Sequence, residues 1–183
     1  MNEDLKAELE AMREEDQAIR KEAWPIIQEH GTESPAYIEI RDRGRAIDAR
    51  NLARLIEVIE THGWPGQSLV GEEAAGGAFL ILQHADVDVQ KKYLPLAREA
   101  AAAGEMRPAD LALLEDRILL HDGKPQRYGS QFVRDAEGNA ELWPIEDESH
   151  VDERRASVGL QPLADYLERV GLGHLRPRAD SNE

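Results

Sequence analysis

Apolar residues recur at helical spacing over two long stretches at the start of the chain, and this period limits the possible folds more than any other feature. From about Asp4 to Glu29, Leu5, Leu9, Met12, Ile19, Ala23 and Ile27 fall mostly on one helical face among strong helix formers. The spacing predicts one amphipathic helix, bent or restarted at Pro25. Ser34 and Pro35 then offer an N-cap and a proline at the first helical position. Ile38, Ile47, Leu52, Leu55, Ile56 and Ile59 carry a second long helix to Gly63, with Gly44 a point of possible irregularity.

Gly63-Trp64-Pro65-Gly66-Gln67 reads as a loop, because Gly suits the end of a helix and Pro cannot continue one. A third helix follows over about Glu72 to Gln83. It is small and then apolar almost all round, the mark of a central buried helix that its neighbours approach closely at Gly76 and Gly77. A fourth helix starts near Asp86 and Asp88, is interrupted at Pro95 and closes at Gly104; a fifth opens at Pro108 and ends near His121.

Beyond the Asp122-Gly123 turn the texture changes. Gln126 to Arg134 and Glu141 to Ile145 are short, partly alternating runs around DAEGN, which predicts a β-hairpin. Two short helices are expected at Val151 to Val158 and Pro162 to Val170, and a disordered tail at 176–183. The predicted fold is mainly α (α+β): about seven helices around a central apolar helix with one β-hairpin in the C-terminal half. One globular domain is expected over residues 1–175.

The formal charge of -15 repels phosphate backbones and anionic headgroups, so nonspecific nucleic acid and membrane surfaces are poor partners. A small-molecule ligand or a basic protein partner fits better. Of the 22 basic residues 17 are Arg, a bias toward bidentate pairing that genomic base composition also produces. The absence of Cys excludes disulfides, thiol nucleophiles and cysteine-held metals. No signal peptide or membrane-spanning run is visible, so a cytoplasmic location is the simplest expectation.

No phosphate-binding, dinucleotide-binding, zinc-protease or serine-hydrolase signature is present. The candidate chemistry therefore rests on polar residues that the scaffold does not explain. Gln83-His84-Ala85-Asp86 delivers an amide, an imidazole and a carboxylate at the end of an apolar helix, where His84 can serve as an acid or base or simply close the helix. Asp116 and Arg117 interrupt the apolar LALLEDRILL, as a ligand pair or a structural salt bridge. In the first predicted strand, alternation puts Gln126, Tyr128 and Ser130 on one face and Arg127, Gly129 and Gln131 on the other, to meet a ligand or dock on the helices. Gln17 and Arg20 share a helix face, and Trp64 forms either a pocket wall or a lid on the core. His62, His84 and Asp86 are metal-ligand types, but no regular spacing sets them on one face, so no metal or other cofactor is expected.

The chain resembles a bacterial protein family of unknown function at Gly63-Trp64-Pro65, Gln83-His84-Ala85-Asp86, Asp116-Arg117 and Tyr128-Gly129-Ser130-Gln131, and in a closing segment from Glu153 to Tyr166. Ser130 stands where Thr is usual, which keeps the hydroxyl. The resemblance implies a shared architecture and a shared polar site, but no reaction. Two readings follow. In one, His84 is an acid or base oriented by Asp116, while Gln17, Arg20, Trp64, Gln83, Asp86, Arg117, Gln126, Tyr128 and Gln131 hold a substrate for cofactor-independent hydrolysis or group transfer. In the other, the chain is a binding, immunity-type or regulatory module whose polar residues are structural.

Overall fold

A computed structural model describes residues 1–134 and 139–175 of the chain. The chain divides into two compact units, Met1–Arg107 and Pro108–Glu183. Eight α-helices and one two-stranded antiparallel sheet form the described residues, so the protein is mainly α with a hairpin in its C-terminal half. Among the described residues no helix is long and apolar enough to cross a membrane. Residues 135–138 of the expected DAEGN turn and the tail at 176–183 lie outside the described residues.

In the first unit, α1 (Glu3–His30) starts at Asn2, whose side chain accepts the Leu5 N–H at 3.2 Å. The helix runs through Pro25 without a restart. Ser34 caps α2 (Pro35–His62) by accepting the Tyr37 N–H at 3.2 Å, and α2 passes Gly44 unbroken to Gly63. A short α3 (Gln67–Val70) forms between the expected loop and the third expected helix, where Glu105 anchors it: its backbone carbonyl and its carboxylate accept the Gln67 and Ser68 N–H groups. The central helix α4 (Glu72–His84) contacts all four other helices of the unit, and α5 (Val87–Ala102) continues through Pro95.

The buried face of α1 is Leu5, Leu9, Met12, Asp16 and Ile19, spaced alternately four and three residues apart. That is the seam of one helix packed lengthwise on another, and Asp16 occupies an apolar position in it. The facing helix α2 buries Ile40, Asn51, Leu55, Val58 and Ile59. Glu8 with Arg54, Glu15 with Arg50 and Glu22 with Arg43 pair across the two helices in antiparallel order. Such exposed pairs add little stability each, about 0–1 kcal/mol, but they suit only one register. Gly77 explains the closeness of α1 to α4: a Cβ there would lie 2.9 Å from the Leu9 carbonyl oxygen.

The second unit opens with α6 (Pro108–His121) and carries strands β1 (Phe132–Arg134) and β2 (Ala140–Leu142), with Phe132 opposite Leu142. The segment 126–131 is not part of a strand, contrary to the alternation read in the sequence; only Gln126 makes a single parallel bridge, to Ile145. Gln126, Tyr128, Gly129, Ser130 and Gln131 are all buried, so the segment has no solvent-facing alternate set. Helices α7 (Val151–Ser157) and α8 (Leu163–Arg169) complete a small core of Val151, Leu163 and Leu167, packed by Phe132, Leu142, Ile145, Tyr166 and Leu172.

Candidate functional site

Three helices of the first unit bring charged side chains to one place. Asp16 comes from the buried seam of α1 and is 1% exposed. Its Oδ1 lies 2.8 Å from His84 Nδ1, at the end of α4, and 2.8 Å from Arg20 Nη1. Its Oδ2 accepts the Gln17 amide at 2.7 Å. Arg20 also donates to the Asp16 carbonyl at 2.9 Å, and its other terminal nitrogen lies 3.2 Å from Asp48 Oδ1 on α2. The guanidinium thus bridges two carboxylates, and one of those carboxylates holds the imidazole.

Burial on its own raises the Asp16 carboxyl, but the His84 hydrogen bond and charge, the Arg20 charge and the Gln17 amide together hold it below the usual carboxylate range. An ionised carboxylate can only accept hydrogen bonds, so the proton of a neutral His84 sits on Nδ1. Nε2 then carries the lone pair. Asp16 is the only hydrogen-bond partner of the His84 ring among the described residues. The ring lines an open cleft of about 630 Å³ together with Arg45, Asp48, Ala49, Leu52, Ala85 and Asp86. A smaller hollow of about 200 Å³ shares Arg45 and Asp48 with that cleft and is lined by Arg20 as well.

The helix end that presents His84 is built by a residue that sequence reasoning passed over. Gln90, 1% exposed, donates its amide to the carbonyls of Gln83 at 3.0 Å and Ala85 at 2.8 Å, closing α4 before α5 begins. Asp86 stands at the N-cap position of α5, makes no side-chain cap bond and is one of the residues that line the cleft. Gln83 itself is buried in α4, and Trp64 is buried without lining the cleft.

The remaining residues singled out in the sequence build a different object. Asp116, 0% exposed on α6, accepts the N–H groups of Arg127 at 2.7 Å and of Tyr128 and Ser130 at 3.1 Å, and the Ser130 hydroxyl at 2.9 Å. Burial pushes its carboxyl up against the pull of these donors. Gln126, also 0% exposed, donates to the Gln131 and Trp143 carbonyls and accepts the Gln131 N–H at 2.8 Å. The Gln131 amide donates to Ser130 Oγ at 3.0 Å. Arg155, 1% exposed, donates to the Tyr128 and Gln161 carbonyls while its guanidinium lies 5.0 Å over the Tyr166 ring. Asp116, Gln126, Tyr128 and Gln131 are therefore held in a closed network around one loop. Arg117 is half-buried beside Asp116 on α6.

The acid that meets His84 is thus Asp16 and not the expected Asp116, whose two oxygens are occupied by the loop. Of the residues expected around His84, the structure gathers Gln17, Arg20 and Asp86. Asp48 had escaped notice. A signal for Asp16 was present in the sequence, as a carboxylate on the apolar period 5, 9, 12, 16, 19. Asp48 carried no comparable signal, because it stands off the buried positions Ile40, Asn51, Leu55, Val58 and Ile59 of α2.

Fold and site together define a mainly helical protein with a carboxylate-held histidine on an open cleft. The chain belongs to a family of unknown function (DUF6624), whose model matches residues 3–172. No curated protein and no solved structure matches the chain.

Proposed function

We propose that the first unit binds and converts a small molecule in the cleft beside His84, with His84 as general base and Asp16 as the group that orients it. The observation that carries this reading is the pairing of a buried, ionised Asp16 with Nδ1 of His84 at 2.8 Å, on a histidine that lines the cleft and keeps Nε2 out of that contact. Burying a carboxylate in the seam of two helices costs stability compared with an apolar residue, so packing does not call for it. In the proposed step, water gives a proton to Nε2 and attacks an acyl or phosphoryl centre. Asp16 stabilises the imidazolium, which returns the proton to the leaving group. Arg20 and Asp48 hold Asp16 in place, and the exposed Arg45 offers a planar partner for an anionic group on the ligand. The reaction class is cofactor-independent hydrolysis or group transfer.

The test is a thermal-shift screen of metabolites, nucleotides and esters in the presence of EDTA, on the wild type and on His84→Gln. A ligand of the native state raises apparent stability by about 2.7 kcal/mol at a hundred times its Kd. The expected result is a compound that shifts the wild type and shifts His84→Gln far less, with turnover lost in the variant. Equal shifts in both proteins, or none in either, would refute the reading. The net charge of -15 favours a second possibility in the latter case, a non-enzymatic module that meets a basic protein partner.

A further inference from the structure

We infer that Asp16, Asp48 and His84 form a binding site for one divalent cation of the zinc or manganese kind, and that the Arg20 guanidinium holds the cation position when the ion is not bound. Each residue comes from a different helix, and one ligand atom from each lies within 4.8 Å of the others. Zinc takes imidazole nitrogen and carboxylate oxygen at about 2.0–2.2 Å in a tetrahedral array, so any two of its ligand atoms stand roughly 3.4 Å apart. His84 Nδ1 and Asp16 Oδ1, at 2.8 Å, would part by roughly half an ångström to share one ion. The 4.8 Å spread of the three ligand atoms has to close by roughly 1–1.5 Å around an ion.

The position between the carboxylates is one that positive charge already favours. Arg20 contacts Asp16 at 2.8 Å and Asp48 at 3.2 Å, and its side chain is 35% exposed, so it can swing into solvent on its flexible stem. A doubly charged ion would replace that single charge and would add a bond to the imidazole. Both Asp48 and His84 line the open cleft, which supplies a route in and room for water ligands. Two carboxylates with an imidazole suit zinc or manganese better than magnesium or calcium, which are usually held by oxygen alone.

The ion would also change what His84 can do. Coordination through Nδ1 uses that nitrogen's lone pair, so the ring proton moves to Nε2 and the cleft meets a hydrogen-bond donor instead of a base. The cation site stands on the geometry of the cluster. Its opposition to general-base action rests on the function proposed above.

Isothermal titration of the EDTA-stripped full chain with zinc chloride or manganese chloride, and magnesium chloride as comparison, tests the site. One ion per chain is expected, with magnesium weaker. Asp48→Asn and His84→Gln should each bind at least about tenfold more weakly, the equivalent of 1.4 kcal/mol. Arg20→Gln should bind more tightly, because the competing guanidinium is gone. Circular dichroism checks that each variant is folded; if His84→Gln is not, manganese-induced broadening of the His84 ring protons in the wild type decides, since His30 and His150 should stay sharp. Failure of both the wild type and Arg20→Gln to take up ion would overturn the site. So would binding that ignores both ligand substitutions, which would belong to surface acids. Because the small-molecule screen is run in EDTA, a failed metal titration leaves the acid-base reading standing, and a failed screen leaves the metal site standing.

Discussion

Replacing Asp116 by Asn should unfold the 126–131 loop's anchorage while leaving the volume of the side chain nearly unchanged. In the wild type three backbone N–H groups and one hydroxyl converge on the two carboxylate oxygens. An amide keeps one oxygen for Arg127 and Tyr128 but turns an NH2 toward the Ser130 N–H and hydroxyl. A buried donor left without an acceptor costs about 1–3 kcal/mol, so two at Ser130 give roughly 2–6 kcal/mol. Part of this is offset, because the variant no longer buries a charge, and burial is the cause that raises the Asp116 carboxyl. The expected net loss is about 2–4 kcal/mol, large beside the 5–15 kcal/mol typical of whole domains. Urea unfolding followed by Trp143 fluorescence, with Trp24 and Trp64 replaced by Phe, reads the second unit alone. Trp143 is a suitable reporter because its indole donates to the Lys124 carbonyl at 2.7 Å. Hydrogen exchange should show lost protection at the Ser130 amide first. A loss below about 1 kcal/mol with the Ser130 amide still protected would refute the argument that this carboxylate organises the loop.

Other changes have signs that follow from single contacts. Asp16 has a folded-state pKa below its ordinary value of 3.8, so its contribution is fully present above pH 3.8 and disappears as pH falls through the lower folded value. The stability difference between wild type and Asp16→Asn should therefore shrink on acidification, and a difference that grew would contradict the His84 and Arg20 contacts. Two adjacent glycines should respond in opposite directions. Gly77→Ala drives a methyl to 2.9 Å from the Leu9 carbonyl oxygen and should cost about 1–3 kcal/mol, whereas Gly76→Ala meets only the end of Arg107 at 4.0 Å and should gain about 0.5–1 kcal/mol from helix propensity. Thermal unfolding of the two variants decides it, and equal shifts would refute the close packing of α1 on α4.

The helices were open to reading from the sequence because their signals are local. Ser34 and Pro35 sit within one turn of the groups they serve, and Gly63 follows the helix it ends, at positive φ. Even Gly77 could be marked as a close approach before its neighbour was known. Where local reading failed, a distant group had overridden it: α3 exists because Glu105 reaches back 37 residues to Ser68. The 126–131 segment looks like a strand by alternation, yet Asp116 and Arg155 take its backbone groups and coil it into a buried loop.

Local chemistry by itself determined that the chain is mainly helical, that α4 is its apolar centre, and that His84 ends that helix. Caps, prolines and the 3.6-residue period act over a few residues, so no tertiary knowledge is needed to see them. Only the tertiary structure decided which carboxylate holds the imidazole. Asp16 and His84 are 68 residues apart, and Asp16 and Asp116 are the same residue type, each in an apolar helix stripe. What separates their roles is which groups the packing of the helices sets opposite them: an imidazole and a guanidinium for Asp16, the backbone of a buried loop for Asp116.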